Sequence, residues 1–243
     1  EVGQGTPVIL LHGFPFNRTT WYPLLPYLKD KARIILPDLR GFGRSPAGEE
    51  PSTMRLMAED VAVLVKKLNL KKFILAGHSM GGYISLAFAQ AYPQKLQGLA
   101  LVASMAANDS PEKRQARFKT IENVKNHGMS VLAKDMPARL TPDPILQNTL
   151  TEIINQENCK GTINALKGMA ERPDYTDILP SITIPTAIIA GQMDVVVSKE
   201  RIEVMARLLQ KNWVVEVPNG GHMPMMEAPE KVAGVLVNLI EMI

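Results

Sequence analysis

Apolar and polar positions along this chain follow two rhythms. Short runs, apolar throughout or nearly so, occupy residues 8–11, 33–36, 73–76, 99–103, 186–190 and 213–217. Between most of them lie stretches whose apolar residues return every three or four positions: 57, 61, 64, 65 and 68, then 202, 205, 206 and 209, then 232, 235, 236, 239 and 240, with 243 continuing the series. Continuous runs suit strands buried on both faces, whereas the 3.6-residue rhythm marks helices buried along one stripe. Ser52 or Thr53, Ser198 and Pro229 stand where such helices need a cap or a first residue without an N–H. Residues 83–92 are apolar nearly all round and predict a fully buried helix. This alternation predicts an α/β fold: a mostly parallel central sheet with helices on both faces.

Residues 104–180 break the pattern. They lack β-branched runs and predict helices alone, with Pro111 opening a charged stretch that Gly128 ends. Leu146, Leu150, Ile153 and Ile154 make one apolar stripe; Ile163, Leu166, Met169 and Ala170 make another. The expected organisation is therefore a core of residues 1–103 and 181–243 with a helical cap of residues 104–180 inserted before the strand at 186–190. An insert placed there covers the carboxyl ends of the strands, where open α/β sheets bind ligands.

The segment Gly77-His78-Ser79-Met80-Gly81-Gly82 joins a strand-like run to a helix-like one. A Gly-x-Ser-x-Gly turn in that setting is a nucleophile elbow, which presents the serine hydroxyl in strained backbone at the start of a helix. A serine needs a base, and the base needs an orienting group. Of four histidines, His222 lies in a Gly-rich loop directly after the last strand, at the sheet edge where it can reach Ser79. His12 suits loop shaping, His78 must point away from its neighbour Ser79, and His127 ends an insert helix. Asp194 follows the strand at 186–190 and is the expected acid; Asp38 and Asp177 are its rivals, with Asp38 better placed to organise its own turn. The order Ser79, Asp194, His222 is that of elbow hydrolases. The oxyanion hole is expected from the N–H groups of Met80 and Phe14, since Pro15 has none. Phe16, Trp21, Met105 and Met223 are the expected substrate pocket, with further methionines such as Met129 and Met136; an apolar lining of that kind favours an uncharged ester.

With these residues assembled, the chain resembles the α/β-hydrolase superfamily, and within it the small bacterial carboxylesterases, perhydrolases and lactonases. The segments LLHGF, DLRGFGRS, GHSMGG, GQMD and GGHMP carry the resemblance in order. It implies an eight-strand core with a helical cap, although the first strands look shortened or missing here. Dehalogenases and epoxide hydrolases of that superfamily hold aspartate where this chain has Ser79, so acyl transfer is implied. Carbon–carbon hydrolases usually carry an asparagine before the serine and a tryptophan after the histidine; this chain has His78 and Met223. The expected activity is a serine carboxylesterase for short to medium acyl esters. Enol-lactone hydrolysis and perhydrolase or non-haem haloperoxidase chemistry are the alternatives, and a small-molecule receptor with little turnover is the alternative of another class.

Bulk properties trim the remaining possibilities. The chain has 243 residues, 46% of them apolar, and a net charge of +3 spread among acidic residues. That supplies one α/β domain with a core and gives no basic patch for nucleic acid. Cys159 is the single cysteine, so neither an intrachain disulfide nor a cysteine metal site is expected, and no other metal cluster, phosphate loop or nucleotide fingerprint predicts a cofactor. No apolar run is long enough to span a bilayer. The first five residues show neither Met nor a signal-peptide pattern, which leads to the expectation of a cytoplasmic location. The partner expected is a small-molecule ester; the oligomeric state is left open.

Overall fold

A computed structural model describes residues 1–243. Its centre is a six-stranded sheet in the order β2-β1-β3-β4-β5-β6, with every neighbouring pair parallel. The strands are β1 (Thr6–Leu11), β2 (Ala32–Ile35), β3 (Phe73–His78), β4 (Leu96–Val102), β5 (Thr186–Gly191) and β6 (Asn212–Val217). Each apolar run of the sequence is thus a strand, with bounds moved by a few residues at most. The eight strands implied by the resemblance are corrected to six: ahead of β1 only Val2 contributes, through an isolated antiparallel bridge to Ile34.

Eleven helices surround the sheet. On the core are α1 (Leu25–Leu28), α2 (Met54–Lys67) and α3 (Met80–Ala91); between β4 and β5 come α4 (Pro111–His127), α5 (Ser130–Asp135), α6 (Pro137–Leu140), α7 (Pro144–Gln156) and α8 (Cys159–Ala170); the core resumes with α9 (Lys199–Leu208), α10 (Pro224–Glu227) and α11 (Pro229–Glu241). Thr53 rather than Ser52 caps α2, its side chain accepting the Leu56 N–H. Ser110 caps α4 in the same way through the Lys113 N–H, and Gly128 ends it at a φ of 73°. The last position of the final stripe, Ile243, lies beyond the end of α11 and is exposed.

Strand periodicity explains the two faces. Ile9, Leu11, Leu75, Leu99, Leu101 and Ile188 point to one side, where α2, α3 and α9 bury Met57, Val61, Phe88, Ile202 and Met205. Their alternates Val8, Leu10, Ile74, Ala76, Ala100 and Ile189 point to the other, against Trp21, Leu28, Val232, Leu236 and Leu239. Successive side chains on a strand face opposite ways, so a strand sandwiched between helix layers must be apolar at every position. β3 is buried along its whole length. The carboxyl ends of β1, β3, β4, β5 and β6 therefore meet at one sheet edge, under the helices of the α4–α8 segment. No helix is long and apolar enough to cross a membrane.

Candidate active site

Ser79 sits between β3 and α3 with φ 49° and ψ −110°, a conformation that costs a non-glycine residue of order 1–3 kcal/mol. The surrounding structure holds it there: its N–H donates to Val102 O at 2.9 Å, and its carbonyl accepts the Ser104 hydroxyl at 2.8 Å. The turn is tight enough that a Cβ on Gly77 would stand 2.2 Å from Gly81 O, and one on Gly81 would stand 2.4 Å from Leu11 O. Glycine at both positions is a steric requirement of the elbow.

The Ser79 hydroxyl lies 2.9 Å from His222 Nε2, and His222 Nδ1 lies 2.8 Å from Asp194 Oδ2. Asp194 Oδ1 accepts the N–H groups of Val196 at 2.7 Å and Val197 at 3.1 Å, which aims its other oxygen at the imidazole. Burial pushes the Asp194 carboxyl up, but its hydrogen bond to His222 and the two backbone donors outweigh burial and hold it below the ordinary aspartate value. With Asp194 ionised, His222 carries its proton on Nδ1 and offers Nε2 to the serine. His222 itself is tied at the backbone: its N–H donates to Leu140 O at 2.6 Å, and its carbonyl accepts from His78 Nε2 at 2.8 Å.

The other histidines have different places. His12 Nε2 accepts the Leu39 N–H at 2.9 Å, so its Nδ1–H donates to Gly13 O; burial lowers its pKa to about 4. His78 turns away from Ser79 to reach beneath His222, and burial, aided by His222, lowers its pKa to about 3. His127 ends α4 and lines the cavity above Ser79. Of the rival acids, Asp38 receives Arg18 and the Arg44 N–H and so orders its own turn. Asp177 lies in a short 3₁₀ turn, Thr176–Ser181, and makes no ion pair or hydrogen bond with the His222 loop.

The N–H groups of Phe14 and Met80 make no hydrogen bond within the protein. They are two free donors flanking Ser79, one from the loop after β1 and one from the first turn of α3, whose dipole adds positive potential there. Above them is a cavity of about 650 Å³ lined by Phe14, Ser79, Tyr83, Leu166, Met169 and His222 among others. The expected pocket residues lie elsewhere. Phe16, Trp21 and Met223 are fully buried in the core layer against α11, and Met105 is buried in the opposite layer. None of the four borders this cavity; Met136 does, while Met129 does not. The apolar lining expected of the pocket is also revised, because Lys113, Arg117, Thr120, Asn123 and Arg139 border it.

Three contributors had no signal in the sequence. Ser104 props the elbow from the end of β4. Glu227 accepts the Gly221 N–H at 2.9 and 2.8 Å and the Thr141 hydroxyl at 2.6 Å, tying the histidine loop to the inserted helices. Leu140 completes that tie through its carbonyl. Backbone and long-range contacts of this kind leave no periodicity; the polar stripe of α4 was readable only as a charged stretch.

A family model described as the alpha/beta hydrolase fold matches residues 6–140 of the chain. The protein belongs to the α/β-hydrolase family. A thermophilic esterase from Thermogutta terrifontis, solved with malate bound, superposes on this α/β-hydrolase with a TM-score of 0.95 at 39% identity, over 99% of this chain and 91% of that one. An esterase from Exiguobacterium antarcticum reaches a TM-score of 0.90 at 25% identity, over 99% and 93% of the two chains. A pimeloyl-[acyl-carrier protein] methyl ester esterase of Legionella pneumophila is 29% identical over 92% of this chain and 90% of its own. The enol-lactonase of Burkholderia xenovorans shares the fold, with a TM-score of 0.90 at 21% identity over 98% and 92%. This α/β-hydrolase is accordingly a hydrolase resembling the small bacterial esterases.

Proposed function

We propose that the protein is a serine carboxylesterase that cleaves esters of short to medium acyl chains through an acyl-enzyme, with Ser79 as nucleophile, His222 as base and Asp194 as its orienting acid. The observation that carries this reading is the continuous hydrogen-bond chain from Ser79 through His222 to Asp194, at 2.9 and 2.8 Å, on the floor of a cavity. Ser79 Oγ attacks the ester carbonyl as His222 Nε2 takes its proton, and Asp194 stabilises the imidazolium. The tetrahedral oxyanion then meets the N–H groups of Phe14 and Met80, each worth roughly 2.7–4 kcal/mol in the transition state. Collapse breaks the bond to the alcohol, which leaves with the proton from His222. Water, deprotonated by His222, attacks the acyl-enzyme and releases the acid and free Ser79.

Two measurements test this. Hydrolysis of chromogenic esters of graded acyl length should be readily measured, and an organophosphonate probe should label a single peptide containing Ser79. Ser79→Ala should abolish both. Labelling or full turnover that survives in Ser79→Ala overturns the assignment, and tight ligand binding with background turnover identifies a receptor instead.

A further inference from the structure

One face of α4 forms a wall of the cavity. Lys113, Ala116, Arg117, Thr120, Asn123 and His127 line it, at the three- and four-residue intervals that fall on one stripe of a helix and over a length of about 21 Å. Its two buried apolar residues are Ile121, at the edge of that stripe, and Val124, within it. α4 is polar nearly all round: Glu112, Gln115, Lys119, Glu122 and Asn126 are exposed, while Lys113, Arg117 and Thr120 are partly buried beside the cavity above Ser79.

The charge at the amino end of that wall is not balanced. Asp109 accepts Arg117 through Nε and Nη2, and it also accepts Arg172 Nη1 at 2.8 Å. Arg172 is wholly buried and stacks 4.0 Å above the ring of Tyr83, another wall residue. Lys113, half-buried beside them, has no ion pair. Burial lowers its pKa from the usual lysine value; Asp109 opposes this, while Arg117, Arg172 and Arg201 add to it. Arg117 also keeps Nη1 without a partner. The only acid in the lining, Asp135, belongs to α5, which follows the opposite end of α4. A desolvated ammonium among guanidiniums is stabilised by an anion and by little else.

We propose that the substrate carries an anionic group, in the simplest case a carboxylate, apart from its scissile ester, and that Lys113 and Arg117 receive it. The inference rests on the hydrolase reading of Ser79 and narrows it from esters in general to esters of acidic molecules. The position of the pair inside the cavity, rather than on its outer surface, favours a small anion over an acidic protein.

The test uses matched esters. One pair places a carboxylate or its carboxamide at the end of the acyl chain, as in chromogenic half-esters of glutaric acid; the other places the same two groups on the alcohol. The parent should prefer the anionic member of at least one pair by roughly ten- to hundredfold in kcat/KM, the range of a hydrogen bond to a charged group. Lys113→Gln should bring that ratio close to unity, Lys113→Arg should retain it, and Lys113→Glu should reverse it. The ratio cancels any general loss of activity in a variant. Equal rates on both members in the parent, or a ratio untouched by Lys113→Gln, overturns the proposal while leaving the esterase reading intact. Glutarate binding, read as protection against thermal unfolding relative to glutaramide, separates the two failures. Protection that Lys113→Gln removes, in a protein that turns over none of the esters, keeps the anion site and discards the esterase.

Discussion

His222 is held at four points: the ring by Ser79 and Asp194, the backbone by Leu140 and His78. An imidazole so constrained has one tautomer and one orientation, which is the pre-organisation a general base requires. Asp194 fixes the tautomer, so Asp194→Asn should leave the fold intact and lower kcat by a factor on the order of 10⁴, the loss seen for the equivalent change in another triad. Asp38→Asn is the control. Asp38 serves Arg18 and the Arg44 N–H in its own turn, and its loss should lower thermal stability with far less effect on kcat. The opposite pattern, with Asp38→Asn abolishing turnover and Asp194→Asn within a few-fold of the parent, would show that the wrong acid has been chosen. Ser104 acts at the same scale. Removing its hydroxyl in Ser104→Ala frees the strained Ser79 carbonyl from its 2.8 Å hydrogen bond, and stability should fall by about 1 kcal/mol in urea unfolding.

At the scale of elements, the helices between β4 and β5 are joined to the sheet by polar ties as well as by packing. Glu157, almost fully buried after α7, accepts the Gly43 N–H at 2.9 Å and Asn17 Nδ2 at 2.7 Å. Thr141 and Leu140 tie the same segment to the histidine loop. We propose that these helices are a lid that sets substrate length. Leu166 and Met169 of α8 border the cavity and are buried, so Leu166→Ala or Met169→Ala should open room for more acyl carbons. Each methylene received there is worth about 0.8 kcal/mol, a few-fold in kcat/KM per carbon. The optimum should move to longer chains while organophosphonate labelling of Ser79 persists. The variants should also lose about 2–5 kcal/mol of stability if their sites do not collapse, so rates are compared below their unfolding midpoints. A chain-length profile that is the same in both variants and the parent would rule out the lid as the length gauge.

The whole molecule carries a pH liability that its sequence conceals. His12 and His78 are buried and neutral, with folded pKa values of about 4 and about 3 against an ordinary 6.5. Below pH 6.5 the unfolded chain takes up two protons that the folded chain refuses, so stability falls as pH falls. Each histidine contributes a loss of up to about 1.4 kcal/mol per pH unit until its folded value is reached. Asp194 acts lower in the range: its carboxyl is held below the ordinary value, so its contribution is full above that value and fades as pH drops through the folded one. Urea unfolding followed from neutral pH down toward about pH 4.5 should show a steadily decreasing free energy, with the decrease beginning near the ordinary histidine value. A free energy that stays level over that interval would mean that His12 and His78 are protonated in the folded state.

The strands, the two-sided burial of the sheet and the elbow were legible in the sequence because they are local or periodic. A run such as 73–76 has nowhere to lie except between two helix layers, and glycines two positions either side of Ser79 report a turn that excludes side chains. The chain order Ser79, Asp194, His222 was legible for a related reason: each residue follows a strand, and parallel strands bring their following loops to one edge. Tertiary structure alone decided what the cavity is made of. Phe16 and Trp21, expected near the elbow, and Met105 and Met223, expected from the insert and the histidine loop, face the core instead, because aromatic and thioether side chains are as useful for filling a layer as for walling a pocket. α4 has the composition of a solvated helix, and only its packing against α8 and α5 sets Lys113 and Arg117 beside the cavity over Ser79. Composition records how much charge a helix carries; the direction in which that charge points is fixed by the neighbours against which the helix packs.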